Sequence, residues 1–212
     1  MARPVCEQCL KAKAACICVW ISPVLNQTRI VILQHPDETK KALGTARIAS
    51  LCLDYVELWV GVDFSNKLKS LISDNKYCLA VLYPSDTAIN VSDWREGRYL
   101  VNSPRGADTC RTLIVLDGTW RNTREIMLSN KFLQDLLKVK LNPGNGSDYR
   151  IRKAPMAESL STVEAISLSL NILEPETQVA PMLNCFKKMI NYQIACMGED
   201  VYRRNYLDKP YD

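Results

Sequence analysis

Several common catalytic signatures are missing from this chain of 212 residues. It has no Gly-x4-Gly-Lys-Ser/Thr phosphate loop, no Gly-x-Gly-x2-Gly dinucleotide turn, no Gly-x-Ser-x-Gly nucleophile elbow and no His-Glu-x2-His metal helix. Its single histidine, His35, excludes any site that needs two or more imidazoles. The chemistry must therefore be sought in other residue types.

Long apolar runs are also missing. None approaches the ~20 residues of a membrane-spanning helix, and no charged leader followed by an apolar core indicates export. With 47% apolar and 24% charged residues, the composition is typical of a globular protein. We therefore expect no membrane partner and a cytoplasmic location. The length fits one sizeable α/β domain with a small appendage.

Four of the nine cysteines lie in the first eighteen residues. Cys6, Cys9, Cys16 and Cys18 form a Cys-x2-Cys-x6-Cys-x-Cys spacing, in which two short pairs converge on one tetrahedral ion. This spacing predicts a structural zinc site in a module of residues 1–24, followed by a larger domain of residues 25–212. The alternatives are a disulfide framework or unrelated reduced thiols. The remaining cysteines are scattered in apolar stretches, as small core residues would be.

Short apolar runs alternate with helical patterns along the rest of the chain. Predicted strands cover residues 29–34, 56–60, 77–83 and 111–116, and predicted helices cover 41–53, 119–128, 161–172 and 182–206. Residues 141–147 are rich in turn formers and predict a loop. The alternation predicts an α/β fold with a mainly parallel sheet and helices on both faces.

The segment from Val115 to Trp120 places Asp117 at a strand end, on a glycine turn, before a helix that Thr119 could cap. Ligands of parallel sheets bind beyond the carboxyl ends of the strands, so this carboxylate is a candidate proton acceptor or ligand-orienting group. The glycine would allow a ligand to approach the backbone closely. A purely structural Asp-Gly joint with a threonine cap is the alternative.

Two further segments carry candidate functional groups. A basic stretch around Arg152 leads to the helix start at Ser161 and Thr162, where amides and hydroxyls could hold a carboxylate or phosphate. A capped helix beside a basic surface strand is the alternative. His35 stands at the end of the first predicted strand, where a lone histidine is more often structural. The net charge of +4 is a mild bias that is compatible with a nucleic-acid partner.

In this order the motifs resemble the DTW-domain family over nearly the whole chain. The family is named for an Asp-x-Thr-Trp signature, which is Asp117, Thr119 and Trp120 here. The other matching elements are the cysteine cluster, His35-x2-Glu38, Tyr83-Pro84 and the segment from Leu160 to Ala165. The resemblance implies a fold related to the SPOUT methyltransferases, possibly with a knotted C-terminal half.

The resemblance also implies an activity, that of a tRNA-uridine aminocarboxypropyltransferase. Such an enzyme moves the 3-amino-3-carboxypropyl group of S-adenosylmethionine to N3 of a tRNA uridine and releases methylthioadenosine. The N3 proton must leave, and Asp117 is the candidate base. Zn²⁺ then has a structural role. The residues expected to bind S-adenosylmethionine are Tyr83, Pro84, Ser85, Leu116, Gly118, Thr119, Trp120, Arg152, Leu160, Ser161 and Thr162. The residues expected to contact tRNA are Lys11, Lys13, Arg47, Arg121, Arg124, Arg150 and Lys153.

Two alternative functions remain open from the sequence. One is a SPOUT-like RNA methyltransferase that uses the methyl group of the same cofactor, and the other is a non-catalytic zinc-ribbon RNA-binding protein. The oligomeric state is not determined by the sequence, with a monomer favoured over the dimer that is usual among SPOUT proteins.

Overall fold

The computed structural model describes residues 4–41, 44–73, 77–97, 110–142 and 160–204. Its strands are β1 (Arg29–Gln34), β2 (Val56–Val60), β3 (Tyr77–Leu82), β4 (Ile89–Asn90), β5 (Cys110–Asp117) and β6 (Leu137–Lys140). Its helices are α1 (Ala46–Cys52), α2 (Ser65–Ser73), α3 (Val91–Arg95), α4 (Trp120–Ser129), α5 (Lys131–Asp135), α6 (Thr162–Leu173), α7 (Ala180–Met197) and α8 (Glu199–Tyr202). Short 3-10 helices cover Lys13–Ala15, Cys18–Trp20 and Pro36–Glu38.

The six strands form one sheet in the order β2-β1-β5-β3-β6-β4. Every neighbouring pair is parallel, which confirms the predicted parallel sheet. The central strand β5 lies between β1 and β3, and both of those strands are apolar on successive residues. Such strands are buried on both sides, which requires helices on both faces.

Helices do cover both faces of the sheet. On one face, Ile30 and Ile32 of β1 share a core cluster with side chains of α1, α3, α6 and α7. On the other face, Val31 and Leu33 pack with side chains of α2, α4 and α5. The alternation of β1 side chains between these two clusters confirms the predicted layering.

The cysteine segment packs on the first of these two faces. Cys9, Ile17 and Val24 are buried in the same cluster as α1 and α7. The Tyr192 hydroxyl of α7 donates a hydrogen bond to the carbonyl of Ala14. The N-terminal residues therefore rest on the main core, and the boundary at residues 24 and 25 stays a prediction.

Some predicted elements differ from the structure in extent. The helix predicted to start at residue 41 begins at Ala46, and the last predicted helix is divided at Gly198, whose φ of 84° suits glycine. The strands β4 and β6 and the helices α2, α3 and α5 are additions to the predicted set. Within the described residues, no helix has both the length and the apolar character needed to cross a membrane.

Candidate functional site

The carboxyl edge of the sheet brings Gln34 and Asp117 side by side. They are the last residues of β1 and β5 and are direct partners in the parallel register. The chain leaves β1 toward α1 on one face, whereas it leaves β5 toward α4 on the other face. Neighbouring strands whose connections diverge in this way leave a crevice at their carboxyl ends, where ligands of open α/β sheets bind.

The Asp117 carboxylate is held by hydrogen bonds from two other elements. Gln34 donates from Nε2 to Oδ2 at 2.8 Å, and the Thr162 hydroxyl at the start of α6 donates to Oδ1. The carboxylate is buried, with 6% of the residue exposed. Burial raises the pKa of Asp117 above its ordinary value, and the bonds from Thr162 and Gln34 oppose that rise.

The turn after Asp117 is closed by α4. Thr119 is the N-cap of α4, and its hydroxyl accepts a hydrogen bond from the Asn122 amide at 3.3 Å, as the sequence predicts. A Cβ at Gly118 would lie 2.9 Å from Cβ of Asn122. Glycine is therefore needed here because α4 approaches the turn closely, which differs from the predicted approach of a ligand.

Ser161 is the N-cap of α6, and its side chain is engaged in capping the helix. The Ser161 hydroxyl and amide both donate to the Glu164 carboxylate, at 2.6 and 2.8 Å, and the hydroxyl accepts from the Glu164 amide at 3.4 Å. This reciprocal capping box leaves Ser161 only 1% exposed. The prediction that Ser161 binds the cofactor is therefore not supported for its hydroxyl. Leu160, which precedes it, is half-buried.

The first turn of α6 offers backbone donors beside Asp117. The amides of Thr162 and Val163 belong to the turn whose N–H groups have no partner within a helix. Among the described residues, no hydrogen bond from either amide is recorded. A carboxylate or phosphate at this end of the helix would be stabilised by these donors and by the helix dipole.

The other predicted cofactor residues lie around the same edge. Tyr83, Pro84 and Ser85 follow β3, and the Ser85 hydroxyl lies 3.3 Å from that of Thr87. The half-buried Leu116 precedes Asp117, and Trp120 at the start of α4 is 47% exposed. The structure thus collects these residues at one edge of the sheet.

His35 is buried beside this edge, and its amide donates to the carbonyl of Asp117 at 2.9 Å. Its Nδ1 accepts a hydrogen bond from the amide of Asp37 at 3.2 Å, and so caps the 3-10 helix that follows. Its Nε2 lies 3.6 Å from a carboxylate oxygen of Glu125. These contacts fit the structural role expected for a lone histidine at a strand end.

The sulfur atoms of Cys6, Cys9, Cys16 and Cys18 lie within 4.8 Å of one another. The separations are 3.6 Å for Cys6 and Cys18 and 3.7 Å for Cys9 and Cys16. A tetrahedron with Zn–S bonds of ~2.3 Å has edges of about 3.8 Å, so the arrangement fits Zn²⁺.

The amides of Cys9 and Gln8 lower the pKa of Cys6 to about 6, whereas burial raises the pKa of Cys18 to about 12. Four thiolates this close repel one another, and a bound cation is what allows all of them to ionise. The chemistry of the donor set therefore fits the metal as well as the distances do.

The predicted tRNA contacts fall into three groups. Lys13, Arg121 and Arg124 are exposed. Lys11 is buried, which lowers its pKa, and the Arg47 guanidinium donates to the carbonyl of Gln8 in the cysteine segment. The structure thus buries Lys11 and pairs Arg47 with the backbone of the chain, and their contact with phosphate stays a prediction. Arg150, Arg152 and Lys153 lie outside the described residues.

Gln34 is a residue of the candidate site that the sequence analysis did not single out. Gln34 is a polar residue at the end of an apolar strand, and its 5% exposure marks it as a buried polar group that requires a partner. The partner, Asp117, is identified only by the strand register.

Comparison with known proteins agrees with this arrangement. The family model described as the DTW domain matches residues 3–194. A Macaca fascicularis protein named tRNA-uridine aminocarboxypropyltransferase 2 is 29% identical over 98% of this chain and 72% of its own length. The Drosophila melanogaster protein of the same name is 32% identical over 85% of this chain and 71% of its own length.

A more distant relative is tRNA-uridine aminocarboxypropyltransferase A of Arabidopsis thaliana, which is 23% identical over 90% of this chain. No solved structure shows a significant match. With the family model covering all but the two ends, and with the Asp-x-Thr-Trp signature at the carboxyl edge of the sheet, the chain belongs to the DTW domain family.

Proposed function

We propose that this protein transfers the 3-amino-3-carboxypropyl group of S-adenosylmethionine to N3 of a uridine in tRNA. The observation that carries the proposal is the buried Asp117 carboxylate, which stands at the carboxyl ends of β1 and β5 and is hydrogen-bonded to the start of α6. The curated relatives named above support the choice of reaction. A mild basic charge and the exposed arginines of α4 are compatible with RNA as the partner.

Asp117 is the proposed base. A carboxylate has about four lone-pair directions, of which the bonds from Gln34 and Thr162 use two. The remaining lone pairs can accept the N3 proton of a uracil that enters the crevice. Burial raises the pKa of Asp117, which brings it closer to the operating pH and makes it a more effective base than an exposed aspartate.

The start of α6 is the proposed site for the amino-acid end of S-adenosylmethionine. The amides of Thr162 and Val163 would bind its carboxylate, in the manner of anions at helix N-termini. Because the Ser161 hydroxyl is engaged by Glu164, the backbone of this turn rather than that side chain supplies the donors. Tyr83, Trp120 and the turn at Gly118 would line the adenosyl end.

The proposed step balances without a metal. A lone pair on uridine N3 forms a bond to the methylene carbon that joins the amino-acid chain to the sulfonium, and the bond between that carbon and sulfur breaks. Its electron pair stays on sulfur, so that neutral methylthioadenosine leaves. The N3 proton moves to Asp117 and then to solvent. The residues that bind the two substrates would align this methylene carbon, and not the methyl group, with uridine N3.

The exposed face of α4 is the proposed contact for tRNA. Trp120, Arg121 and Arg124 lie on its solvent side, and Trp120 directly follows the turn from Asp117. An aromatic ring in this position can stack on an unpaired base, while the arginines contact phosphates. Lys13 in the cysteine segment is a further exposed cation.

The four N-terminal cysteines are the proposed ligands of a structural Zn²⁺. Four protein ligands close the coordination sphere, so the ion would take no substrate. We further propose a cytoplasmic, monomeric enzyme, whose thiols remain reduced there, and a SPOUT-related topology with a knot formed by the C-terminal half.

Product analysis tests the reaction directly. Unmodified tRNA is incubated with the protein and S-adenosylmethionine, and the nucleosides and small molecules are measured by mass spectrometry. We expect a uridine heavier by one aminocarboxypropyl group and one equivalent of methylthioadenosine. Adenosylhomocysteine with a methylated nucleoside would instead support an RNA methyltransferase. Binding of tRNA with no product and no effect of S-adenosylmethionine would support a non-catalytic binding protein.

A further inference from the structure

Two residues on separate elements hold the Asp117 carboxylate in one orientation. Gln34 ends β1, Asp117 ends β5 and Thr162 begins α6, so the three side chains come from different parts of the fold. Gln34 bonds to Oδ2 and Thr162 bonds to Oδ1. Each oxygen therefore has one donor, which fixes the plane of the carboxylate and the directions of the lone pairs that remain.

The Gln34 side chain has no other role in the described part of the chain. It is 5% exposed, and its recorded side-chain hydrogen bond is the one to Asp117 at 2.8 Å. A glutamine at the end of an apolar parallel strand is costly to bury unless it is hydrogen-bonded. The role of Gln34 at this position is therefore its hydrogen bond to Asp117 rather than packing in the core.

Thr162 connects Asp117 with the proposed carboxylate site. Its hydroxyl bonds to Asp117, while its amide belongs to the first turn of α6. A ligand bound by that turn would thus fix the position of the same residue that orients the base.

We infer that Gln34 and Thr162 are positioning residues, which aim a free lone pair of Asp117 at the uridine N3 proton. This inference rests on the proposed transfer reaction. Both residues act through Asp117 and need not touch the reacting atoms.

The surroundings of Asp117 determine how its titration should respond. Besides burial and the two donors, Glu38 raises and Lys41 lowers the pKa of Asp117, and these two side chains pair with each other at 2.6 Å. The nearby His35 ring faces Asp37 and Glu125. Because hydrogen bonds to a carboxylate favour its ionised form, loss of either donor raises the pKa of Asp117.

The test compares Thr162→Val and Gln34→Met with Thr162→Ser, which keeps the hydroxyl. Transfer rates are measured across pH, and the Asp117 carboxyl carbon is titrated by NMR in protein labelled with carbon-13 at aspartate, with Asp117→Asn used for assignment. We expect Thr162→Val and Gln34→Met to lose between about 10-fold and 10²-fold in kcat with a smaller change in KM, since misplacement of a catalytic group has effects of this size. The acid limb of the rate profile should move to higher pH, while Thr162→Ser remains close to the wild type.

A matched control is Thr123→Val. Thr123 is another buried threonine in the first turn of a helix at this edge, and its hydroxyl donates to the carbonyl of Trp120 at 3.2 Å. If the Thr123→Val and Thr162→Val variants have similar melting temperatures, a loss of transfer rate in Thr162→Val alone cannot be due to a less stable fold.

Two results would overturn the inference. One is a Thr162→Val enzyme with the wild-type rate and acid limb, and the other is a Thr162→Ser enzyme as impaired as Thr162→Val. If the wild-type protein transfers nothing, the proposed function fails, and the NMR titration still decides whether these donors act on Asp117. An Asp117 pKa unchanged in both variants would then refute the inference by itself.

Discussion

The cysteine cluster and the Asp117 site are assembled over very different distances along the chain. The four cysteines lie within 13 consecutive residues, and Cys6 and Cys18, whose sulfur atoms are 3.6 Å apart, are separated by 12 positions. The partners of Asp117 lie 83 and 45 positions away. A ligand set that is local in sequence is visible as a spacing. A carboxylate held by sheet register and a helix start is visible only once the strands are paired.

The largest effect is expected from substitutions in the cysteine cluster. A Cys6→Ser, Cys9→Ser protein lacks two of the four proposed zinc ligands, and we expect it to lose one equivalent of zinc in metal analysis because the remaining pair cannot close a tetrahedral site. Cys196→Ser is the control, since that exposed thiol lies outside the cluster. Stoichiometric zinc in the double variant would contradict the assignment.

A smaller effect is expected from a substitution in the turn that follows Asp117. Gly118→Ala should destabilise the fold by about 1–3 kcal/mol, as overpacking does, because its Cβ would meet Cβ of Asn122 at 2.9 Å. Gly61→Ala is the matched control, since a Cβ there meets the ring of Phe64 at 3.2 Å, and the end of a side chain can move. Denaturant unfolding measures both, and an equal loss would show that α4 does not restrict the turn.

The smallest effect is expected for single arginines. Arg121 and Arg47 were both predicted from the sequence to contact tRNA, and the structure gives them different surroundings. Arg121→Ala should weaken tRNA binding and lower the salt-dependence slope by about 0.7–0.9, the value for one lost phosphate contact. Arg47→Ala should leave that slope unchanged and hasten zinc release to a chelator, because Arg47 bonds to the carbonyl of Gln8. Filter binding at several salt concentrations distinguishes them. A lower salt-dependence slope for Arg47→Ala, with an unchanged slope for Arg121→Ala, would instead support a phosphate contact by Arg47.

Much of the fold could be predicted from sequence, since β1 and β2 have the predicted bounds and Thr119 and Ser161 cap the helices assigned to them. These elements carry strong local signals of β-branched runs and capping residues. The two-residue strand β4 and the short β6 carry little periodicity, and tertiary pairing alone defines them.

The candidate site could be predicted only in part. Asp117 was found because its turn chemistry is local, whereas Gln34 was missed because its role depends on register with a strand 83 positions away. Lys11 and Arg47 were placed among the expected tRNA contacts together with the family resemblance, and sequence spacing does not show which cations a fold buries or bonds internally.

The central claim is that Asp117 is the base for uridine N3. Single-turnover transfer to tRNA by Asp117→Asn, with S-adenosylmethionine binding measured by calorimetry on the same protein, tests it most directly. The variant should retain cofactor binding and lose at least about 10²-fold in transfer rate, because general-base catalysis contributes factors of about 10² to 10⁴. Transfer at the wild-type rate by Asp117→Asn would contradict the claim.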